Sequence, residues 1–371
     1  MESKKENGHS KLEKVYARGL NKKQRKEKRR ILSQPIEAID LSNLSSIKDL
    51  VASFGKMSIQ ARCIGRCATV YENMLEDPKR PTIFLGLAGP LIAAGLRKII
   101  RAMIEFNIVD VIVSTGAIFY QDLYQSFGYK HYLGSPEAED SHLRELFINR
   151  IYDTYVDDEK FIKSDSWVGR FADSLEPRTY SSREFLHLLG KKIKDENSIL
   201  KTAAKYGVPV FSPALNDSSI GIGLTNHYHL KTQKEKPKVI IDAIRDNYEL
   251  TQLIVKSKKT AAIYVAGGVP KNFINDAVVT SYIFGKNTGG HSYAFQVTTD
   301  VPHWGGLSGS TFEEAKSWGK VSKNATKAMA FVEPSVSLPL IVGYVLQKKL
   351  KPRKRLIHQW KNDILKEIKL K

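Results

Sequence analysis

The sequence predicts an α/β fold: a mostly parallel sheet with helices on both faces. Three observations predict it. Apolar, strand-like runs recur along the chain. Nearly all of them end in small or polar residues. Helical patterns lie between some of them. The 371 residues and 42% hydrophobic content suit one large domain or two ordinary ones, with ample material for a core.

In chain order, residues 82–87 run into Ala88-Gly89-Pro90, and residues 109–113 into Ser114-Thr115-Gly116-Ala117. Residues 208–211 lead to Ser212 and on to Asn216-Asp217, and residues 261–265 to Ala266-Gly267-Gly268-Val269-Pro270. Residues 293–297 lead to Thr298-Thr299-Asp300, and residues 328–332 to Glu333-Pro334-Ser335. Between them, residues 91–106 carry Leu96, Ile99, Ile100, Met103 and Ile104 at helical spacing, and residues 243–255 read as another helix. Parallel sheets bind ligands beyond the carboxyl ends of their strands, where these six turns fall. On residue types alone each turn also suits an ordinary strand-to-helix connection.

The formal net charge is +19, and its placement divides the chain. Residues 1–30 carry +8, residues 348–371 carry +8, and the 317 residues between them only +3. The expected organisation is a basic arm over 1–44, a central domain over 45–347 and a basic tail over 348–371. Such ends read as solvated extensions or as nonspecific contacts to polyanions. No zinc-finger or RRM-type pattern is visible, so no specific nucleic-acid module is expected. No apolar run reaches the length of a membrane span, and residues 1–30 lack an apolar signal core. The only cysteines, Cys63 and Cys67, fall four apart in a helical pattern. They read as two reduced thiols of a cytoplasmic protein, with no metal site.

Residues 298–320, TTDVPHWGGLSGSTFEEAKSWGK, are the most informative stretch. Gly305, Gly306 and Gly309 let backbone approach a ligand closely. Trp304 and Trp318 offer flat faces to a cation. A lysine among aromatics can lose solvation, which lowers its pKa and makes its amine a nucleophile. Lys320 is that lysine. The same residues also suit a glycine-rich surface loop leading into a helix capped by Ser310 or Thr311. No G-x-G-x-x-G, Walker A, H-E-x-x-H or G-x-S-x-G motif occurs.

Four separated motifs occur in one order: TIFLG (82–86), FSPALND (211–217), GGVPK (267–271) and EEAKSWGK (313–320). In these the chain resembles the deoxyhypusine synthase family, from about residue 45 to residue 348. The resemblance implies a Rossmann-like, NAD-dependent transferase. It also implies a homotetramer with active sites at subunit interfaces. In the family chemistry, NAD removes hydride from the carbon beside spermidine's secondary amine. A lysine takes the butylamine unit as an imine and passes it to a lysine of the hypusine-carrying translation factor. Only an amine can exchange imines in this way.

By this resemblance Lys320 is the nucleophile. Gly89, Thr115, Gly116, Ala117, Asp217, Gly267, Thr299, Asp300 and Glu333 are expected at the cofactor. Tyr120, Gln121, Asn272, Trp304, Gly305, Gly306, Glu314 and Trp318 are expected at the amine substrate. His303 is a candidate proton relay, since an imidazole titrates near neutrality. Departures from the family pattern are concentrated at the amine. Gly89-Pro90 stands for a Ser-Asn turn, Tyr120-Gln121 for an acidic pair, and Asn272 for a histidine. Ile222 and Leu307 stand for aspartates that hold ammonium groups. Asp300, Glu313, Trp304 and Tyr120 are the expected replacements. These changes resemble a deoxyhypusine synthase-like branch, some of whose members pass the butylamine unit to putrescine. A small-amine acceptor therefore stands beside the protein lysine as an alternative.

Overall fold

The structure, a computed structural model, describes residues 19–306 and 308–371. Leu307 and residues 1–18 of the basic arm lie outside the described residues. The central sheet has six strands: β1 (Thr82–Leu87), β2 (Val111–Ser114), β3 (Val210–Phe211), β4 (Thr260–Val265), β5 (His291–Val297) and β6 (Val321–Ala330). Their order is β3-β2-β1-β4-β5-β6, and every pairing is parallel. This is the doubly wound order of dinucleotide-binding folds, in which the winding reverses between β1 and β4.

Alternation along the strands feeds two cores. Ile83, Leu85 and Leu87 face one side with Cys67, Tyr71 and Met74 of helix α1 (Ile59–Glu76). Phe84 and Tyr264 face the other, with Ile274, Ala277 and Val278 of the helix Gly268–Thr280. The remaining labelled helices are α2 (Gly116–Ser126), α3 (Asp158–Asp173), α4 (Ser219–Gln233), α5 (Gly268–Thr280), α6 (Phe312–Ser317) and α7 (Pro334–Gln347). None of the described helices is long and apolar enough to cross a membrane.

Register aligns the carboxyl ends. Leu87 lies beside both Ser114 and Val265, Val265 beside Val297, and Val297 beside Ala330. The turns that follow, with Gly89, Thr115, Gly267, Thr299 and Glu333, therefore form one row.

Three boundaries differ from the sequence reading. The run at 328–332 is only the end of β6, which begins at Val321. Its first half, Val321 to Asn324, is mostly polar because β6 is an edge strand. The helix expected over 91–106 is regular only from Arg97 to Glu105, because Gly95 turns the chain at a φ of +84°. Residues 356–370 are not a solvated extension. They form an antiparallel hairpin, Leu356–Lys361 with Ile364–Leu370, that buries Leu356 and Leu365. Arg353, just before it, meets Asp110 at 3.1 Å, and Arg80 holds the same carboxylate at 2.7 Å. Burial raises the cost of the Asp110 charge, but the two guanidiniums hold its pKa down to about 2. Positive charge alone did not reveal that part of this segment packs against the domain.

Of the amino-terminal arm, Lys22–Ile31 is a helix with no buried residue, started by a reciprocal Asn21–Gln24 capping box.

Candidate active site

Helix α5 starts at the winding reversal. Gly267 precedes it, and a Cβ there would come within 2.4 Å of the Ser308 backbone. Only glycine permits that close approach of the 298–311 loop. Gln296, fully buried on β5, pins the same loop. Its Nε2 donates to the carbonyls of Ala266 (2.8 Å) and Ser308 (2.7 Å). Its Oε1 accepts from Lys271 Nζ at 2.8 Å, and Lys271 also donates to the Ser310 carbonyl at 2.7 Å.

From there Thr311 caps α6, accepting from the Glu314 amide at 3.2 Å. Gly319, at a φ of +68°, then turns the chain into Lys320 and β6. The Lys320 carbonyl accepts from the His291 amide at 3.0 Å. Lys320 thus stands at the amino end of β6 and not in the row of carboxyl ends. Its ammonium lies 3.2 Å from Asp276 on α5 and 5.3 Å from the centre of the Trp318 ring.

A pocket of about 170 Å³ is lined by Lys271, Asn272, Asn275, Ser310, Glu314, Ala315, Trp318 and Lys320. Four expected residues meet here: Asn272, Glu314, Trp318 and Lys320. Three others were not singled out from the sequence. Asp276 carries the carboxylate that both Lys320 and the Asn272 amide (3.0 Å) contact. Lys271 is buried with no carboxylate of the described residues bonded to it, and burial lowers its pKa to about 8. Gln296 is the third. A lysine and a glutamine flanked by small and apolar residues were the available signals.

Other expected residues lie elsewhere. His303 and Trp304 form an exposed turn outside the pocket lining, with Trp304 81% exposed. Gly305 ends that turn, and Gly306 packs against Asp300. Trp318 is 65% exposed, so in the single chain it is an open wall of the pocket. Glu313 is taken up by Lys316 and Lys327. Tyr120 and Gln121 are buried on α2, with the Tyr120 hydroxyl donating to the Phe161 carbonyl and Gln121 accepting from the Ala93 amide. Ile222 is exposed on α4.

The row of strand ends gathers the other expected positions. Gly116 lies against Ser218, so Thr115, Gly116 and Ala117 adjoin the loop that carries exposed Asp217. Among the described residues, helices α2 and α5 both begin there without a side-chain cap, the kind of helix start that suits an anion. Glu333 caps α7 by accepting from the Ser335 amide at 2.7 Å. Gly89, at a φ of +87°, completes the row after β1. Paired helix starts, close-approach glycines and a nearby carboxylate fit a dinucleotide. Cys63 and Cys67 are free. Among the described residues, no group of three or more His, Cys, Asp or Glu could hold a metal ion.

A six-stranded, all-parallel, doubly wound sheet with glycine-rich strand ends defines the class: an α/β protein of Rossmann-like architecture. The chain belongs to the deoxyhypusine synthase family, whose model matches residues 49–345. It is 43% identical over 328 residues to "Probable deoxyhypusine synthase 2" of Methanosarcina acetivorans, covering 87% of this chain and 93% of that one. It is 42% identical over 345 residues to a deoxyhypusine synthase-like protein of Elusimicrobium minutum, covering 91% of each. A solved structure, provisionally named deoxyhypusine synthase, from Entamoeba histolytica shares the fold. Its TM-score is 0.57 at 19% identity, over 83% of this chain and 96% of that one.

Proposed function

We propose that this protein is an NAD-dependent aminobutyl transferase that uses spermidine and carries the butylamine unit on Lys320. The observation that carries the reading is the placement of Lys320 with Trp318 and Glu314 in one pocket, its ammonium 3.2 Å from Asp276. NAD, when bound, supplies a hydride acceptor that later returns the hydride. Asp217 and the starts of α2 and α5 would hold it, Asp217 by accepting hydrogen bonds and the helix amides by donating to phosphate. Glu314, Asp276 and the Trp318 face bind the ammonium groups of the polyamine. Lys320 attacks the imine carbon, displaces the diamine and holds the four-carbon unit until the acceptor amine exchanges it.

The acceptor in this reading is a lysine of the hypusine-carrying translation factor. A small amine such as putrescine is the second reading, favoured by Ile222 and Asn272, which stand where the family has an aspartate and a histidine. The apolar surface of Trp304, Trp318, Tyr282 and Ile283, each at least 65% exposed, supports a homotetramer in which a second copy covers the pocket. The two free thiols accord with a cytoplasmic enzyme.

The test is incubation with NAD and spermidine labelled in its butylamine unit, with either acceptor. Label in the translation factor supports the first reading. Label in homospermidine supports the second. Transfer to neither, with no borohydride-trapped adduct, rejects both.

A further inference from the structure

Lys271 has an environment unlike that of Lys320. Its side chain comes from the first turns of α5 and is 2% exposed. Both of its hydrogen-bond acceptors are neutral: the Gln296 side-chain oxygen and the Ser310 carbonyl. A neutral amine has two hydrogens for those two acceptors, and its lone pair is then left over. Lys271 lines the pocket that Lys320 also lines. The charged groups facing it are Glu314 and Asp300, which favour its ammonium, and Lys320, which disfavours it. The Tyr264 ring lies 5.9 Å from its nitrogen. Desolvation outweighs the two carboxylates and brings its pKa down to about 8. Among the described residues no histidine lines the pocket; the Asn272 amide is spent on Asp276, and His303 is exposed.

We propose that Lys271 is the general base of the pocket, accepting the proton lost when the substrate's secondary amine is oxidised to an imine. This rests on the reading of the protein as an NAD-dependent oxidiser of spermidine. The step balances. The C–H bond beside the secondary nitrogen breaks, and its electron pair leaves as hydride to NAD. The N–H bond breaks, its electrons form the C=N bond, and its proton moves to Lys271 Nζ. When the acceptor's imine is reduced at the end of the cycle, the ammonium of Lys271 returns the proton to nitrogen. A base with its pKa near the working pH suits both directions. Gln296 is a positioning residue that holds Lys271.

The first measurement needs no turnover. In wild-type protein carrying 13C-labelled lysine, one side-chain resonance should titrate near pH 8 and vanish in Lys271→Met. Absence of such a resonance overturns the proposal. The second measurement is single-turnover NADH formation at 340 nm with NAD and spermidine. The wild-type rate should rise with pH through about 8. Lys271→Arg keeps donors for Gln296 and Ser310 but cannot accept a proton, so its rate should fall about 100-fold or more and lose that rise. Methylamine should restore Lys271→Ala. A Lys271→Arg protein with the wild-type rate and profile overturns the proposal. A wild type that forms no NADH removes the reading beneath it as well.

Discussion

The Lys320 ammonium lies 3.2 Å from the Asp276 carboxylate, which also accepts from the Asn272 amide at 3.0 Å. The residue standing at the family's histidine position thus fixes the carboxylate that orients the proposed nucleophile. Because Asp276 is 44% exposed, solvent screens the pair. Asp276→Asn should change stability by less than about 1 kcal/mol in urea denaturation. A loss of several kcal/mol would show that the pair holds the fold and does not merely orient Lys320.

Lys320→Arg keeps the positive charge beside Trp318 but cannot form an imine. Transfer from spermidine should be abolished while NAD binding by calorimetry stays at the wild-type constant. Borohydride added with spermidine should label Lys320 in the wild type and nothing in the variant. Peptide mapping that finds the adduct on another lysine removes Lys320 from its role.

Asp217 is exposed in the loop after β3, beside the start of α2. Asp217→Ala should weaken NAD binding by about 1.5–3 kcal/mol if the carboxylate accepts a charge-assisted hydrogen bond. Folding stability should be unaffected within about 0.5 kcal/mol. An unchanged dissociation constant would take Asp217 out of the cofactor site.

Gln296→Leu removes two donors and one acceptor from a dry site, leaving the Ala266 and Ser308 carbonyls without this donor and taking one of two acceptors from Lys271. The cost should be about 2–5 kcal/mol, read as a lowered denaturation midpoint. Protease cleavage within 298–311 should rise in parallel. Wild-type stability and protection would mean that the loop is anchored by other contacts.

Asp110 gives a pH dependence with a definite sign. Its folded pKa, about 2, lies below the usual 3.8. Its contribution is therefore fully present above about pH 4 and is lost as pH falls through about 2. Asp110→Ala, which strands Arg80 and Arg353, should cost about 3–5 kcal/mol at pH 7, and the penalty should shrink in acid. Equal penalties at pH 7 and pH 2 would contradict the linkage.

The legibility of this protein in its sequence follows burial and polarity. β1 and β4 are buried at every position, so their apolar runs mark them within a residue. The first half of β6 is an edge carrying Ser322, Lys323 and Asn324, which the same signal passes over. The hairpin was hidden by its charge, although Leu356 and Leu365 anchor it. In the site, Lys320, Trp318 and Glu314 fall within one motif, 313–320, and Asn272 directly follows another, 267–271, so sequence reading singles them out. Lys271, Gln296 and Asp276 act through contacts between β5, α5 and the 298–311 loop. Lys271 closes the motif 267–271, but its burial against the Ser310 carbonyl and the Gln296 side chain leaves no local pattern to read.

The Asp110 junction also has a temporal consequence. Arg80 is already made when Asp110 is, but Arg353 follows 243 residues later. A growing chain must hold the buried carboxylate with one guanidinium through most of its synthesis. The second arrives only after β2 to β6 and α7 have been made. Closing so long a loop adds entropy cost slowly with length, yet it delays the contact. The hairpin is thus positioned to act as a late lock on a sheet whose strands are already made.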